Sequence, residues 1–353
     1  MNRNDYALVI GGAGFIGCNL AAHLARSGKR VKIYDDLSRP GVDHNLVWLQ
    51  RTYGQRVTAV IADVRDRGKL REAITHAEVV FHLAGQTAVT TSLVEPVHDF
   101  EVNARGTVEV LEAVRRSDHR PPVLFTSTNK VYGCLPDLPL RDGGERWEAV
   151  DADLAAHGID ERRPLEFRTP YGCSKGCADQ YVLDYAHSFG IPAAVFRMSC
   201  IYGPHQLGTE DQGWVAHFLI HALEGRPITV YGDGKQVRDL LFVDDLVDAF
   251  VRAWSRIGSL AGRAYNIGGG PKYTISLREL LVMIEQLCGY RPDVRYEPWR
   301  AGDQRYYVSN TAAFTEATGW AAKVGPRAGI ETLHGWLASE RRSRPVEEGV
   351  HHA

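Results

Sequence analysis

Ala7-Leu8-Val9-Ile10-Gly11-Gly12-Ala13-Gly14-Phe15-Ile16-Gly17 runs almost directly into Asn19-Leu20-Ala21-Ala22-His23-Leu24 near the start of the chain. Four consecutive apolar residues read as a buried strand, and the second stretch repeats apolar residues at helical spacing. Between them Gly11, Gly14 and Gly17 allow a tight turn and let the backbone come close to whatever rests on it. A helix starting there offers free N–H groups and the positive end of its dipole, which together hold an anion. The stretch predicts a strand, a phosphate-binding turn and a helix.

Outward from that turn, apolar runs at 31–34, 57–61, 79–83, 123–126 and 193–196 alternate with helix-length segments. The alternation predicts βαβ units and a parallel sheet covered on both faces, the doubly wound α/β class. After about residue 202 the pattern loosens into amphipathic helices at 211–224 and 276–288, punctuated by Tyr231-Gly232-Asp233-Gly234 and Gly268-Gly269-Gly270-Pro271. With 353 residues, 44% of them hydrophobic, two packed units are expected. These are a dinucleotide-binding domain over 1–200 with a returning segment near 236–268, a smaller substrate domain over 201–340, and a polar tail over 341–353.

Lys and Arg number 41 against 43 Asp and Glu, so no overall field draws the chain to nucleic acid or an anionic membrane. The first apolar run is too short for a signal peptide, and no stretch approaches the roughly 20 apolar residues of a membrane span. Six scattered cysteines in such a chain predict reduced thiols in the cytoplasm. Cys173 and Cys177 share a helix face, but a metal site needs two more ligands that the sequence does not supply nearby.

The turn is answered by an acid after the second strand, Asp35 in Tyr34-Asp35-Asp36. A carboxylate there accepts hydrogen bonds from ribose hydroxyls and repels a 2′-phosphate, which predicts NAD rather than NADP. Asp36, Ser38 and Arg39 flank it as further cofactor candidates, and Arg39 weakens the preference slightly. Asp63, with Val64 after it, closes the third strand where an adenine edge would lie, although an acid there also suits a helix cap.

Tyr171-Gly172-Cys173-Ser174-Lys175 places a phenol and an ammonium on one helix face, past the strand ending Thr126-Ser127-Thr128-Asn129-Lys130. A free tyrosine titrates near pH 10, so a tyrosine base needs positive charge beside it. The ammonium of Lys175 and a nicotinamide ring would supply that charge. Thr128 would hydrogen-bond the same substrate hydroxyl. The bland alternative for Tyr171 and Lys175 is an ordinary surface pair.

Together with His82-Leu83-Ala84-Gly85, Asn103 and Thr126, these motifs resemble the extended short-chain dehydrogenases/reductases that modify nucleotide sugars, over nearly the whole chain. Gln86, Thr90-Thr91-Ser92, Asn129-Lys130-Val131-Tyr132-Gly133, Asp211-Gln212-Gly213-Trp214-Val215 and Gly234-Lys235-Gln236-Val237-Arg238-Asp239 are more specific, and resemble the branch that inverts C2 of CDP-sugars. The resemblance implies that Phe15, Ile16, Leu83, Ala84, Gly85, Asn103 and Thr126 join the cofactor site, with Tyr171 and Lys175 reaching it. It implies catalysis by Thr128, Tyr171 and Lys175, and sugar contacts from Gln86, Thr91, Ser92, Asn129, Lys130, Ser199 and Gln212. Arg238, Arg300 and Arg305 become candidates to clamp the diphosphate, the last two equally well placed as surface residues.

The chain departs from that pattern at Met198 and Cys200 and around Ile159-Asp160-Glu161, near the expected sugar. Asn129 and Lys130 stand where 4,6-dehydratases carry an acid pair, which speaks against dehydration. A 4-epimerase stays open, since it needs the same tyrosine, lysine, threonine and NAD. A non-catalytic NAD sensor on this fold is the reading from another class, and the intact tyrosine and lysine argue against it. The resemblance also implies a homodimer or homotetramer joined through helices near 94–115 and 171–189.

Overall fold

Along β1 (Tyr6–Ile10) every residue is buried, Ala7 and Val9 in one apolar cluster and Leu8 and Ile10 in another. A strand with two buried faces belongs inside a sheet layered between helices. The computed structural model describes residues 5–343 and places β1 there. It is followed by α1 (Phe15–Arg26), β2 (Val31–Asp35), α2 (Val42–Tyr53), β3 (Val57–Ile61), α3 (Arg67–Ile74) and β4 (Ala77–His82). After β4 comes α4 (Val89–Val94), and from Pro96 the region expected to carry a pairing helix runs without a break as α5 (Pro96–Phe100), a π-helical turn at Glu101–Arg105 and α6 (Gly106–Arg115). Pro96 opens α5 because its missing N–H costs nothing at a helix start.

β5 (Val123–Thr128), the hairpin β6 (Leu140–Asp142) and β7 (Trp147–Ala149), and α7 (Ala152–His157) lead to the long α8 (Thr169–Phe189), closed by Gly190 in the left-handed region. β8 (Ala193–Met198) then returns to the sheet. β9 (Cys200–Tyr202), α9 (Trp214–Leu223), β10 (Ile228–Tyr231), β11 (Val237–Phe242), α10 (Val243–Ser255) and α11 (Ile257–Leu260) precede β12 (Ala264–Ile267). The sheet is wholly parallel in the order β12-β8-β5-β4-β1-β2-β3. The segment expected to return thus completes an edge with β12, while α10 packs against the cluster holding Ala7 and Val9.

The smaller C-terminal unit gathers β13 (Thr274–Ser276), β15 (Tyr306–Tyr307) and β9 around β11, and pairs β10 with β14 (Val294–Glu297). Ser276 and Glu279 form a capping box that starts α12 (Leu277–Cys288). α12, α9 and the last helix pack over these strands. That last helix, Pro326–Ser343, follows the short α13 (Ala312–Thr318) and runs through the first residues of the expected tail. The rest of the tail, 344–353, lies outside the described residues. Among the described residues no helix is long and apolar enough to cross a membrane.

Candidate active site

Gly11 adopts φ +81°, and a Cβ there would lie 2.5 Å from the backbone nitrogen of Ala84, while one on Gly17 would lie 2.2 Å from the Gly11 carbonyl. These glycines let the loops after β1 and β4 touch. Gly14 differs: its Cβ would meet only the Gly11 carbonyl, at 3.3 Å, so the turn is open on that side. No side chain caps α1 and no acid stands in its first turn, which leaves the N–H groups around Phe15 and Ile16 to an anion.

Asp35 accepts hydrogen bonds from the N–H groups of Ala13 (2.9 Å) and Leu37 (3.0 Å). Burial raises its pKa and those N–H groups pull it back. Each oxygen keeps a lone pair for a ribose hydroxyl. Asp36 instead braces the loop by accepting from Ser38 N–H and Oγ, at 3.0 and 2.7 Å. Arg39 donates to Gln212 and Thr87. Asp63 accepts from Arg65 through both oxygens, which holds its carboxyl low. Val64 is buried against Gly106. The N–H groups of Leu83 and Ala84 both reach the Ile10 carbonyl, and Gly85 lies beside Asn103 Oδ1 and Lys175 Nζ.

Thr128, Tyr171 and Lys175 converge at the end of β5. All three are buried, and the Thr128 side chain acts on the Tyr171 phenol to lower its pKa. Lys175 Nζ donates to the Thr126 carbonyl at 2.6 Å and lies 4.3 Å from the Phe125 ring centroid. Burial brings the ammonium down to about 8. Burial also pushes the Tyr171 phenol up to about 12, opposed by Thr128 and reinforced by the charge of Asp99. The expectation that the lysine lowers the phenol is therefore not met by the protein alone.

The N-terminus of α8 is fixed by Ser92, which accepts from Tyr171 N–H at 3.1 Å and donates to the Val89 carbonyl at 2.6 Å. Ser92 has no exposed surface, so it positions the helix instead of touching sugar. Ser199 is likewise drawn off, donating to buried Asp239. Thr91 is exposed. Its neighbour Thr90 has a buried hydroxyl without a partner, as do Ser127 Oγ and Gln86 Oε1, and such orphaned groups mark where a ligand or water completes the bonding.

Asn129 approaches Gln304 at 3.5 Å, and Lys130 donates to the Gly302 carbonyl at 2.8 Å, 3.9 Å from Asp303. Burial and nearby Arg238 lower the Lys130 ammonium. Arg238 is buried and donates to the carbonyls of Val237 and Gln304, both at 2.7 Å. Among the described residues it forms no ion pair, a buried cation open to an anion. Arg300 by contrast pairs with Glu210 (3.2 Å) and Asp211 (3.5 Å) and stacks on Tyr231. Arg305 is exposed between Trp147 and Trp299. Of the residues where the chain departs from the expected pattern, Met198 packs on the core, Cys200 accepts from the Trp214 indole, and Glu161 accepts from Asn266 N–H.

An open glycine turn on a parallel sheet, an acid at the end of the second strand and a buried Thr-Tyr-Lys set define a dinucleotide-dependent enzyme. The profile of the NAD dependent epimerase/dehydratase family matches residues 7–268, and the chain belongs to that family. It is 40% identical to CDP-paratose 2-epimerase of Salmonella typhi, over 94% of this chain and 99% of that one. Identity with UDP-glucose 4-epimerase of Mycolicibacterium smegmatis is 34%, over 92% and 95%. The structure of Thermus thermophilus UDP-glucose 4-epimerase in complex with NAD superposes with a TM-score of 0.78 at 31% identity, covering 94% and 99%. The cofactor is NAD.

Proposed function

We propose that this enzyme inverts C2 of a CDP-sugar by withdrawing and restoring a hydrogen at one carbon. The observation that carries the reading is the buried Thr128–Tyr171–Lys175 set, together with a buried guanidinium, Arg238, that has no acid partner among the described residues. The 11–17 turn and Asp35 would hold NAD, which would supply reversible hydride transfer at the sugar carbon.

Tyr171 takes the hydroxyl proton and later returns it, with Thr128 aligning that hydroxyl. Lys175, anchored on the Thr126 carbonyl, keeps positive charge beside the phenol below about pH 8. Arg238 clamps the diphosphate bidentately. Lys130 on Gly302 and Arg39 on Gln212 tie the 299–303 and 205–213 segments to the nucleotide-binding half at the rim. Asn129 and Lys130 offer no acid and base for eliminating water, which favours epimerisation over dehydration. The relative 40% identical to this chain supports C2 and the cytidine nucleotide.

The working enzyme is a cytoplasmic homodimer. Val94 (80% exposed), Val97 (73%) and Phe100 (50%) form an apolar face on α4 and α5, with exposed Tyr181 and Phe189 on α8. Light scattering on the purified protein should give twice the chain mass.

The function is tested by incubating the purified protein, without added NAD, with CDP-paratose, CDP-glucose, UDP-glucose and GDP-mannose in deuterated water and following the sugar protons by NMR. Inversion at C2 with no deuterium at that carbon is expected. Inversion at C4 or a 4-keto-6-deoxy product would replace this reading with that of a 4-epimerase or a dehydratase.

A further inference from the structure

Asp99, at the end of α5, has no exposed surface, and no step above uses it. One of its oxygens accepts from Asn103 Nδ2 at 3.2 Å, and the other accepts from Ser174 Oγ. Ser174 lies between Tyr171 and Lys175 on α8, and its hydroxyl is also 3.2 Å from the Tyr171 carbonyl. Asn103 Nδ2 stands 3.0 Å from Ser174 Oγ and 3.1 Å from the Gln86 carbonyl. The three side chains form a buried triangle behind the helix turn that carries the phenol and the ammonium.

The π-helical turn at Glu101–Arg105 makes this possible. Such a turn frees a backbone carbonyl and persists mostly where a site needs the displaced side chain. Here Thr107 Oγ donates to the Asn103 carbonyl at 2.6 Å, and buried His82 meets that hydroxyl at 2.9 Å. Lys175 and Tyr171 from α8 and His98 on its own helix are the charged and titratable groups around Asp99. His82, on β4, is kept neutral by burial and by Lys175. Burial raises the Asp99 carboxyl, and the Ser174 bond and Lys175 pull it back. Its negative charge raises both Tyr171 and Lys175 in return.

We propose that Asp99 is a positioning residue of this reaction, pinning the Tyr171–Lys175 turn through Ser174 and Asn103 and setting the charge those two groups feel. The inference rests on Tyr171 as the proton carrier. The Asp99→Asn substitution keeps a partner for Asn103 and for Ser174 but removes the charge.

The test is the pH profile of kcat for the NAD-loaded enzyme and its Asp99→Asn and Ser174→Ala variants, with Tyr171→Phe alongside. Asp99→Asn should move the rising limb to lower pH by about 0.5–1 unit, because a phenol freed from a like charge ionises more readily. Ser174→Ala keeps the charge but breaks the bridge, so kcat should fall about tenfold with KM within twofold and the limb in place. An unmoved limb in Asp99→Asn, or wild-type kcat in Ser174→Ala, would overturn the proposal. If Asp99→Asn does not fold, the Ser174→Ala result decides alone. Turnover by Tyr171→Phe would instead overturn the proton-carrier reading, leaving the two failures distinct.

Discussion

Around residues 11–17 the functional groups are backbone atoms, fixed by packing between β1, α1 and the loop after β4. On the sugar side they are side chains that reach segments far apart in the chain: Lys130 on the Gly302 carbonyl, Arg39 on the Gln212 side chain, Arg238 on the Gln304 carbonyl. The first construction tolerates almost no added atom, as the 2.2 Å gap at Gly17 shows. The second depends on hydrogen bonds between flexible side chains and loops. A site built this way keeps its cofactor geometry while its sugar geometry can be altered one residue at a time.

The comparison would be tested hardest where the two sides meet. Tyr171→Phe should lower kcat about 10³-fold, near 4 kcal/mol, while NAD stays bound. Absorbance of the bound dinucleotide and turnover, measured on the same sample, check both halves, and lost NAD would mean the phenol belongs to the cofactor cradle. On the sugar side, Arg238→Ala should raise KM about 10–100-fold, the worth of a charge-assisted hydrogen bond, with kcat little changed. A comparable fall in kcat would place the guanidinium beside the reacting carbon.

Gly11→Ala probes the opposite construction. With φ +81° and the Ala84 nitrogen 2.5 Å away, it should destabilise the fold by about 1–3 kcal/mol and cost bound NAD. Thermal melting and dinucleotide content would show it, and a tolerated alanine would mean the turn is softer than its packing implies. The smallest effect belongs to His82, which burial pushes down to about 3. The unfolded chain takes up a proton below about pH 6.5 that the folded histidine refuses, so this stabilisation is complete above that pH and drains away as pH falls toward 3. At pH 5.5 the loss is about 1.4 kcal/mol. His82→Gln should lose less stability than the parent between pH 7.5 and 5.5 in urea titrations, and equal losses would refute the assignment.

The cofactor half was legible because its signals are contiguous: strand, glycines, helix and Asp35 follow one another within a single βα unit and its neighbour. The parallel sheet followed from apolar runs. The sugar half was legible only by residue type. Nothing local told Arg238, buried and unpaired, from Arg300, which an acidic loop neutralises. Ser92 and Ser199 have the right chemistry, yet tertiary partners claim their oxygens. Asp99 was invisible because a single acid on a short helix means little until Ser174, far along the chain, is placed against it.

β12 sets a schedule for synthesis. Until Ala264–Ile267 leaves the ribosome, β8 ends the sheet as a bare edge of unpaired N–H and C=O groups, a template for joining another chain. At translation speeds of about 5–20 residues per second the interval lasts roughly 3–14 s, and a chaperone has that long to shield the edge before the protein covers it with its own strand.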